Sequence, residues 1–253
     1  MLHKVKTLKD YKLDSIDGDI GKVRELLFDD RHWTVRYLVA DTGGWLTGQQ
    51  VLLSPYSLRS VNDTLKSVAV GLTRKQIENS PALATNLPVS RQFEDDYNGY
   101  YGWPEYYWGA GAYSWGPTPF VIREKAKLEK VKPGEKAWDH HLRSTNEVST
   151  YSIKARNGEI GHVEDFIIDS DTWAVRYLVV STRSLWPGKK VLVAPQWIER
   201  VSWSEKEVFL NLSREEIRLS PEFTDDSLVT RDYETSLHGH YNRHGYWVDE
   251  MLA

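Results

Sequence analysis

Residues 18–81 of this chain match residues 158–221 at a constant offset of 140 with no gap, and about 24 of the 64 pairs are identical. The longest block is Trp33-Thr34-Val35-Arg36-Tyr37-Leu38-Val39 against Trp173-Ala174-Val175-Arg176-Tyr177-Leu178-Val179. A repeat of this length is one structural unit made twice. The 253 residues therefore divide into two small domains of one kind, each with a modest core. The match continues into the tails: residues 89–94 align with 229–234, and Tyr101 and Tyr106 align with Tyr241 and Tyr246.

Each repeat reads as short strands separated by turns. Asp17-Gly18 and Asn157-Gly158 follow the first strand of each copy, and both dipeptides favour tight hairpins because their residues tolerate positive φ. Gly21 and Gly161 recur early in the next strand, where a bulge or sharp bend needs them. In residues 33–41, Val35, Tyr37 and Val39 alternate with Arg36 and Leu38, the pattern of a half-buried strand. Pro55 and Pro195 end a further strand in each copy, and Val61, Val68, Val201 and Val208 mark the last two. Thr73-Arg74-Lys75-Gln76 and Ser213-Arg214-Glu215-Glu216 are capping boxes that start a short helix, stopped by Ser80-Pro81 and Ser220-Pro221. Five or six short strands closed by one helix suit a small β-barrel.

Composition narrows the function classes. Lys+Arg 32 against Asp+Glu 36 leaves a net charge of −4, so no basic excess draws the chain to nucleic acid. The chain has no cysteine, which rules out disulfides, thiolate metal sites and cysteine nucleophiles. No apolar run reaches the roughly 20 residues of a membrane span, and the N-terminus lacks a signal peptide, so a cytoplasmic protein is expected.

The glycine–strand–strand block resembles the PRC-barrel family, named after the cytoplasmic domain of the photosynthetic reaction-centre H subunit. The residues that carry the likeness are Asp19-Ile20-Gly21-Lys22-Val23, Phe28-Asp29-Asp30 and Trp33 with Val35-Arg36-Tyr37-Leu38-Val39. They recur as Glu159-Ile160-Gly161-His162-Val163, Ile168-Asp169 and Trp173 with Val175-Arg176-Tyr177-Leu178-Val179. The tandem form resembles a duplicated bacterial member. The resemblance implies a small, strongly bent barrel that serves as a binding module and not as a catalyst. The H subunit packs on an electron-transfer complex, and another family setting is a ribosome-maturation factor.

Three groups of residues are candidate sites. Residues 97–120 hold ten aromatics in 24 positions. Tyr100, Tyr101, Trp103, Tyr106, Tyr107 and Trp108, with Tyr241, Tyr246 and Trp247 of the second tail, suit anchors for a protein partner. The competing reading is that these rings fold over their own barrel. His238, His240 and His244 have the residue type for zinc or nickel, but Gly239 and Gly245 argue against a helix, and a solvated tail is expected. Arg36 and Arg176, set mid-strand, suit structural ion pairs with Asp29 and Asp169 across the hairpin. The acidic pairs Asp29-Asp30, Asp95-Asp96 and Asp225-Asp226 suit turns and helix starts, and no phosphate loop, nucleophile elbow or zinc-protease motif is present.

The expected architecture is mostly β: a PRC-barrel-like domain over residues 1–96, an aromatic and basic linker over 97–137, and a second such domain over 138–253 with an aromatic, histidine-rich tail. The expected function is a non-enzymatic scaffold that binds a protein partner and self-associates as a homo-oligomer, with no cofactor. Alternatives are an RNA-processing or ribosome-assembly factor, and a quinone-like ligand-binding regulator of membrane electron transport.

Overall fold

Both hairpins form one residue earlier than the dipeptides suggest: Ser15 pairs with Gly18 and Ala155 with Gly158, and these glycines take φ 146° and 138°. In the computed structural model the described residues are 1–44, 46, 49–81, 83–84, 89, 91–103, 141–182, 188–224 and 228–250. The first repeat contains β1 (Leu2–Lys4), α1 (Val5–Leu8), β2 (Lys12–Ser15), β3 (Gly18–Asp29), β4 (Thr34–Asp41) and β5 (Gln49–Leu53). It continues with β6 (Leu58–Asn62), β7 (Ser67–Val70), α2 (Arg74–Glu78), β8 (Leu83–Ala84) and α3 (Arg91–Tyr101). The second contains β9 (Leu142–Ser144), α4 (Thr145–Val148), β10 (Ser152–Ala155), β11 (Gly158–Asp169), β12 (Val175–Ser181) and β13 (Lys190–Val193). It ends with β14 (Ile198–Ser202), β15 (Glu207–Leu210), α5 (Arg214–Leu219), α6 (Arg231–His240) and α7 (Tyr246–Glu250).

The fold is mostly β, built on two sheets of like design. One runs β6-β7-β2-β3-β4-β5-β8 and the other β13-β12-β11-β10-β15-β14. Hairpin neighbours are antiparallel, but β2 pairs parallel with β7 and β10 parallel with β15. This brings the first strand after α1 (or α4) beside the strand that precedes α2 (or α5). The described pairing closes neither sheet into a ring. Both capping boxes form, on Thr73 with Gln76 and on Ser213 with Glu216.

The glycines inside β3 and β11 sit at bulges. Leu13 of β2 faces a two-residue step between Asp19 and Lys22, and the β10–β11 register slips between Ile153 and Lys154. A Cβ on Gly21 would lie 2.0 Å from the Asp41 carbonyl oxygen, and one on Gly161 1.8 Å from that of Ser181. Only glycine lets these strands cross so closely.

Each repeat lends its first strand away. β1 pairs with β11, with Leu2 opposite Asp169, His3 opposite Ile168 and Lys4 opposite Ile167. Its counterpart β9, 140 positions later, pairs with β3. The compact units consequently differ from the expected segments. One consists of Met1–Lys6, Ser144–Asp169 and Ala174–Ala253, the other of Thr7–Arg143 and Ser170–Trp173. The exchange rests on more than ladder bonds. In the first unit named, Lys6 N donates to Asp165 Oδ1 at 3.1 Å and Lys6 Nζ meets Glu164 Oε1 at 3.4 Å, while Val5 is buried. In the other, Asp30 binds His141 Nδ1 at 2.8 Å and Arg143 Nε at 2.9 Å.

Two expectations need correction. The strand with the Arg-Tyr pair is not half-buried: residues 34–40 of β4 and all of β12 are buried on both faces. The cause lies in the tails, where α3 and α6 each lay a face on their own sheet. The second tail is helical and not an extended segment, because α6 runs through Gly239 and α7 follows Gly245; His238 is buried, while His240 and His244 are exposed as expected. Thr230 caps α6 by accepting from Tyr233 N, and the buried contacts of the helix outweigh the cost of one glycine, about 1 kcal/mol.

Candidate functional site

The chemistry-bearing residues gather where each tail helix meets the middle of its sheet. The repeated Arg-Tyr pair is carried there by β4 and β12, and a repeated glutamate, Glu94 or Glu234, is carried by α3 and α6. Glu94 is fully buried; its Oε1 accepts from Arg36 Nη2 at 2.5 Å and from the Tyr37 hydroxyl at 2.9 Å. Glu234 is likewise buried; its Oε1 accepts from the Tyr246 hydroxyl at 2.9 Å and stands 2.9 Å from the Tyr177 hydroxyl oxygen. Its second oxygen lies 3.0 Å from Arg231 Nη1. Burying a carboxylate is costly unless it is paired and hydrogen-bonded, so each glutamate works as a latch that fixes where its helix docks.

The arginines divide their loyalty between two acids. Arg176 Nη2 pairs with Asp169 Oδ2 at 3.0 Å and its guanidinium lies 3.8 Å from the Tyr246 ring centre. The expected hairpin ion pair thus forms in the second repeat and, more loosely, in the first, where Arg36 Nη1 lies 3.7 Å from Asp29 Oδ2 while its Nη2 takes Glu94 as the shorter partner. Asp29 instead closes the β3–β4 turn, accepting from Arg31 N at 2.8 Å and His32 N at 3.0 Å. Burial pushes the Asp29 carboxyl up, but the hydrogen bond from His32 and the charges of Arg36 and His32 outweigh it and hold the group at about 2.

The three tail histidines do not converge. His238 is buried, with Nδ1 2.9 Å from the His244 carbonyl oxygen and Nε2 3.0 Å from the Tyr177 hydroxyl. Burial pushes its ring below the ordinary histidine range. His240 Nε2 donates to the Glu216 carbonyl at 2.8 Å, which ties α6 to α5. The first repeat makes the same tie with a different residue, since the Tyr100 hydroxyl donates to the Gln76 carbonyl of α2 at 3.1 Å. Among the described residues, no group of three or more His, Cys, Asp or Glu could hold a metal ion.

The aromatic candidates part into two sets. Tyr241 and Tyr246 are buried, Tyr241 against Trp197 and Tyr246 against Glu234 and Arg176. They are core residues, closed to a partner. Trp247 is half-buried, with its ring centre 5.1 Å from that of His238 and 4.2 Å from the Arg231 guanidinium. The first tail keeps more surface open. Its rings form a ladder in which Trp103 stacks on Tyr56 at 5.8 Å and on Tyr101 at 4.3 Å, and Tyr101 meets Tyr100 at 4.8 Å. Tyr100 is 43 % exposed, and Tyr101, Trp103 and Tyr56 are half-buried. Beneath them Tyr97 is buried and its hydroxyl donates to the Leu52 carbonyl at 2.7 Å. Tyr106, Tyr107 and Trp108 lie outside the described residues.

Sequence reasoning missed Glu94 and Glu234 as partners of the Arg-Tyr pair. The signal was present, because both glutamates and the arginines three positions before them recur at the 140-residue offset. No helix among the described residues is long and apolar enough to cross a membrane. No protein-family model matches the chain, and no curated protein matches it.

Proposed function

We propose that the chain is a non-enzymatic scaffold that binds a protein partner through the aromatic face of α3, on two modules of the PRC-barrel type. One observation carries this reading: the half-open ladder Tyr56–Trp103–Tyr101–Tyr100 on a rigidly latched helix. Tyrosine and tryptophan give large contact area with little conformational freedom to lose, and they are enriched at the centres of protein interfaces. The ionisable groups beside the ladder are committed elsewhere, with Glu94 held by Arg36 and Tyr37, so the face offers rings and not acid–base chemistry. The bulged strands and the repeated Gly-Trp-Arg-Tyr block support the PRC-type reading of each module.

The test is affinity capture of the full chain from its own cells, with and without nuclease. Tyr100→Ala with Trp103→Ala is compared with a control change at Leu228, an exposed residue of the second repeat. The reading expects a nuclease-resistant protein that binds stoichiometrically, survives the control change and is lost with the ladder variant. Capture that disappears with nuclease and ignores the ladder would replace it with the RNA-assembly alternative.

A further inference from the structure

We propose that Glu234, Tyr177 and His238 form a proton-operated switch in the second repeat, in which uptake of one proton at His238 reverses the Tyr177 hydroxyl and re-partitions the bonds that hold α6 and α7. His238 Nδ1 lies 2.9 Å from the His244 carbonyl oxygen, which can only accept, so Nδ1 carries a hydrogen. In the neutral ring Nε2 is then a bare acceptor, 3.0 Å from the Tyr177 oxygen. That same oxygen is 2.9 Å from Glu234 Oε1. A phenol has one hydrogen and cannot give it to both.

Two arrangements satisfy every group. With His238 neutral, Tyr177 donates to Nε2, and the Glu234 carboxylate keeps Tyr246 on Oε1 and Arg231 on Oε2. With His238 protonated, Nε2–H donates to the Tyr177 oxygen and the Tyr177 hydrogen turns to Glu234 Oε1, which it then shares with Tyr246 of α7. The proton taken up stays on Nε2, and the Tyr177 hydrogen changes acceptor without leaving its oxygen. A buried network with two satisfied states switches where a half-satisfied one would break.

The surroundings decide which state holds at neutral pH. β12 presents Arg176 and Tyr177 to the site, α6 presents Arg231 and Glu234, and α7 presents Tyr246 and Trp247, while Asp169 of β11 is paired with Arg176. Trp197 and Trp247 each pack edge-to-face against the His238 ring, 5.1 Å between centres. Two guanidinium groups and low exposure oppose the imidazolium, so the neutral arrangement is the resting one. The first repeat lacks the device. Asn98 occupies the position of His238, and the Tyr37 hydroxyl has Glu94 as its acceptor.

The test is nitrogen-15 NMR of the histidine rings in the full chain from pH 7.5 to 5, with the His238 signals assigned by their loss in His238→Asn. The expected result is an Nδ1–H tautomer at neutral pH and a titration midpoint below that of the exposed histidines. Tyr177→Phe removes the phenol and Glu234→Gln removes the anion, so each moves the midpoint further down. Glu234→Gln preserves shape and keeps the test decisive where Tyr177→Phe fails to fold. An Nε2–H tautomer at neutral pH, or a midpoint unmoved by Glu234→Gln, overturns the proposal.

Discussion

Arg36 Nη2 and Glu94 Oε1 meet at 2.5 Å across 58 residues of sequence, with both side chains shut away from water. The pair joins the sheet of the first repeat to its tail helix, and it does so where neither charge has solvent to fall back on. Such a pair adds less to stability than its distance suggests, but removing one partner leaves the other charge stranded.

Glu94→Ala should therefore destabilise the chain by about 3–5 kcal/mol, read as a lower urea midpoint. Hydrogen exchange should speed up along α3 while α6, held by its own glutamate, keeps its protection. Glu94→Gln, which retains an acceptor for Tyr37, should cost less than the alanine change. Equal loosening of both helices would show that the latch is not local.

The pH dependence of stability follows from His238. Its folded-state pKa is depressed by burial, so the unfolded chain binds more protons below the ordinary histidine value of 6.5. The contribution is complete above pH 6.5 and is lost as pH falls below it. Glu234 runs the other way, because burial raises its carboxyl, and stability from it is lost as pH rises through 4.5 and above. His238→Asn, which copies the first repeat, should lower stability at pH 7.5 but flatten the decline between pH 7 and 5. Urea midpoints at several pH values check this, and an undiminished slope in the variant would assign the dependence to another group.

Gly161→Ala should be among the most damaging single-methyl changes in the chain, because its Cβ would fall 1.8 Å from a backbone oxygen that has no freedom to rotate away. The β11 strand has to move, and a loss of more than about 3 kcal/mol is expected. Gly21→Ala adds a positive φ of 115° to the same clash and should be at least as severe. Gly43→Ala is the matched control, having a positive φ of 67° but open space around its Cβ position.

His3→Pro tests the strand exchange. Proline cannot donate to a ladder, and His3 is the central residue of a three-residue strand. Amide exchange is expected to accelerate at Ile167, Ile168 and Asp169, in the other repeat, and to leave β3 as it was. Acceleration confined to the first repeat's sheet would contradict the pairing.

The strand-and-turn plan was legible in the sequence because its signals are local: Asp17-Gly18 needs only its own φ, and the capping box at Thr73 only three neighbours. Gly21 was legible for a related reason, since a glycine kept in both copies inside a strand marks a bulge or sharp bend; the close approach to Asp41 behind it was not. The burial of β4 was not, because alternation describes one face and the second face is covered by a helix more than 50 residues away. The helical run through Gly239 was hidden by the same fact, for its stability comes from Glu234, Leu237 and His238 entering the core and not from propensity. The donation of β1 and β9 left no mark at all. A three-residue strand reads alike whichever copy of a duplicated sheet receives it.

That donation sets a clock on biosynthesis. Lys6 N and Asp165 Oδ1 stand 159 residues apart in the chain. At ribosomal rates of 5–20 residues per second, the seat for β1 comes into being roughly 10–30 s after β1 itself emerges. Through that interval the leading strand and buried Val5 have no docking place, while the sheet of the first repeat waits for β9 to be translated. Neither copy completes its sheet during its own synthesis, and the nascent chain reaches a finished fold only when the second copy arrives.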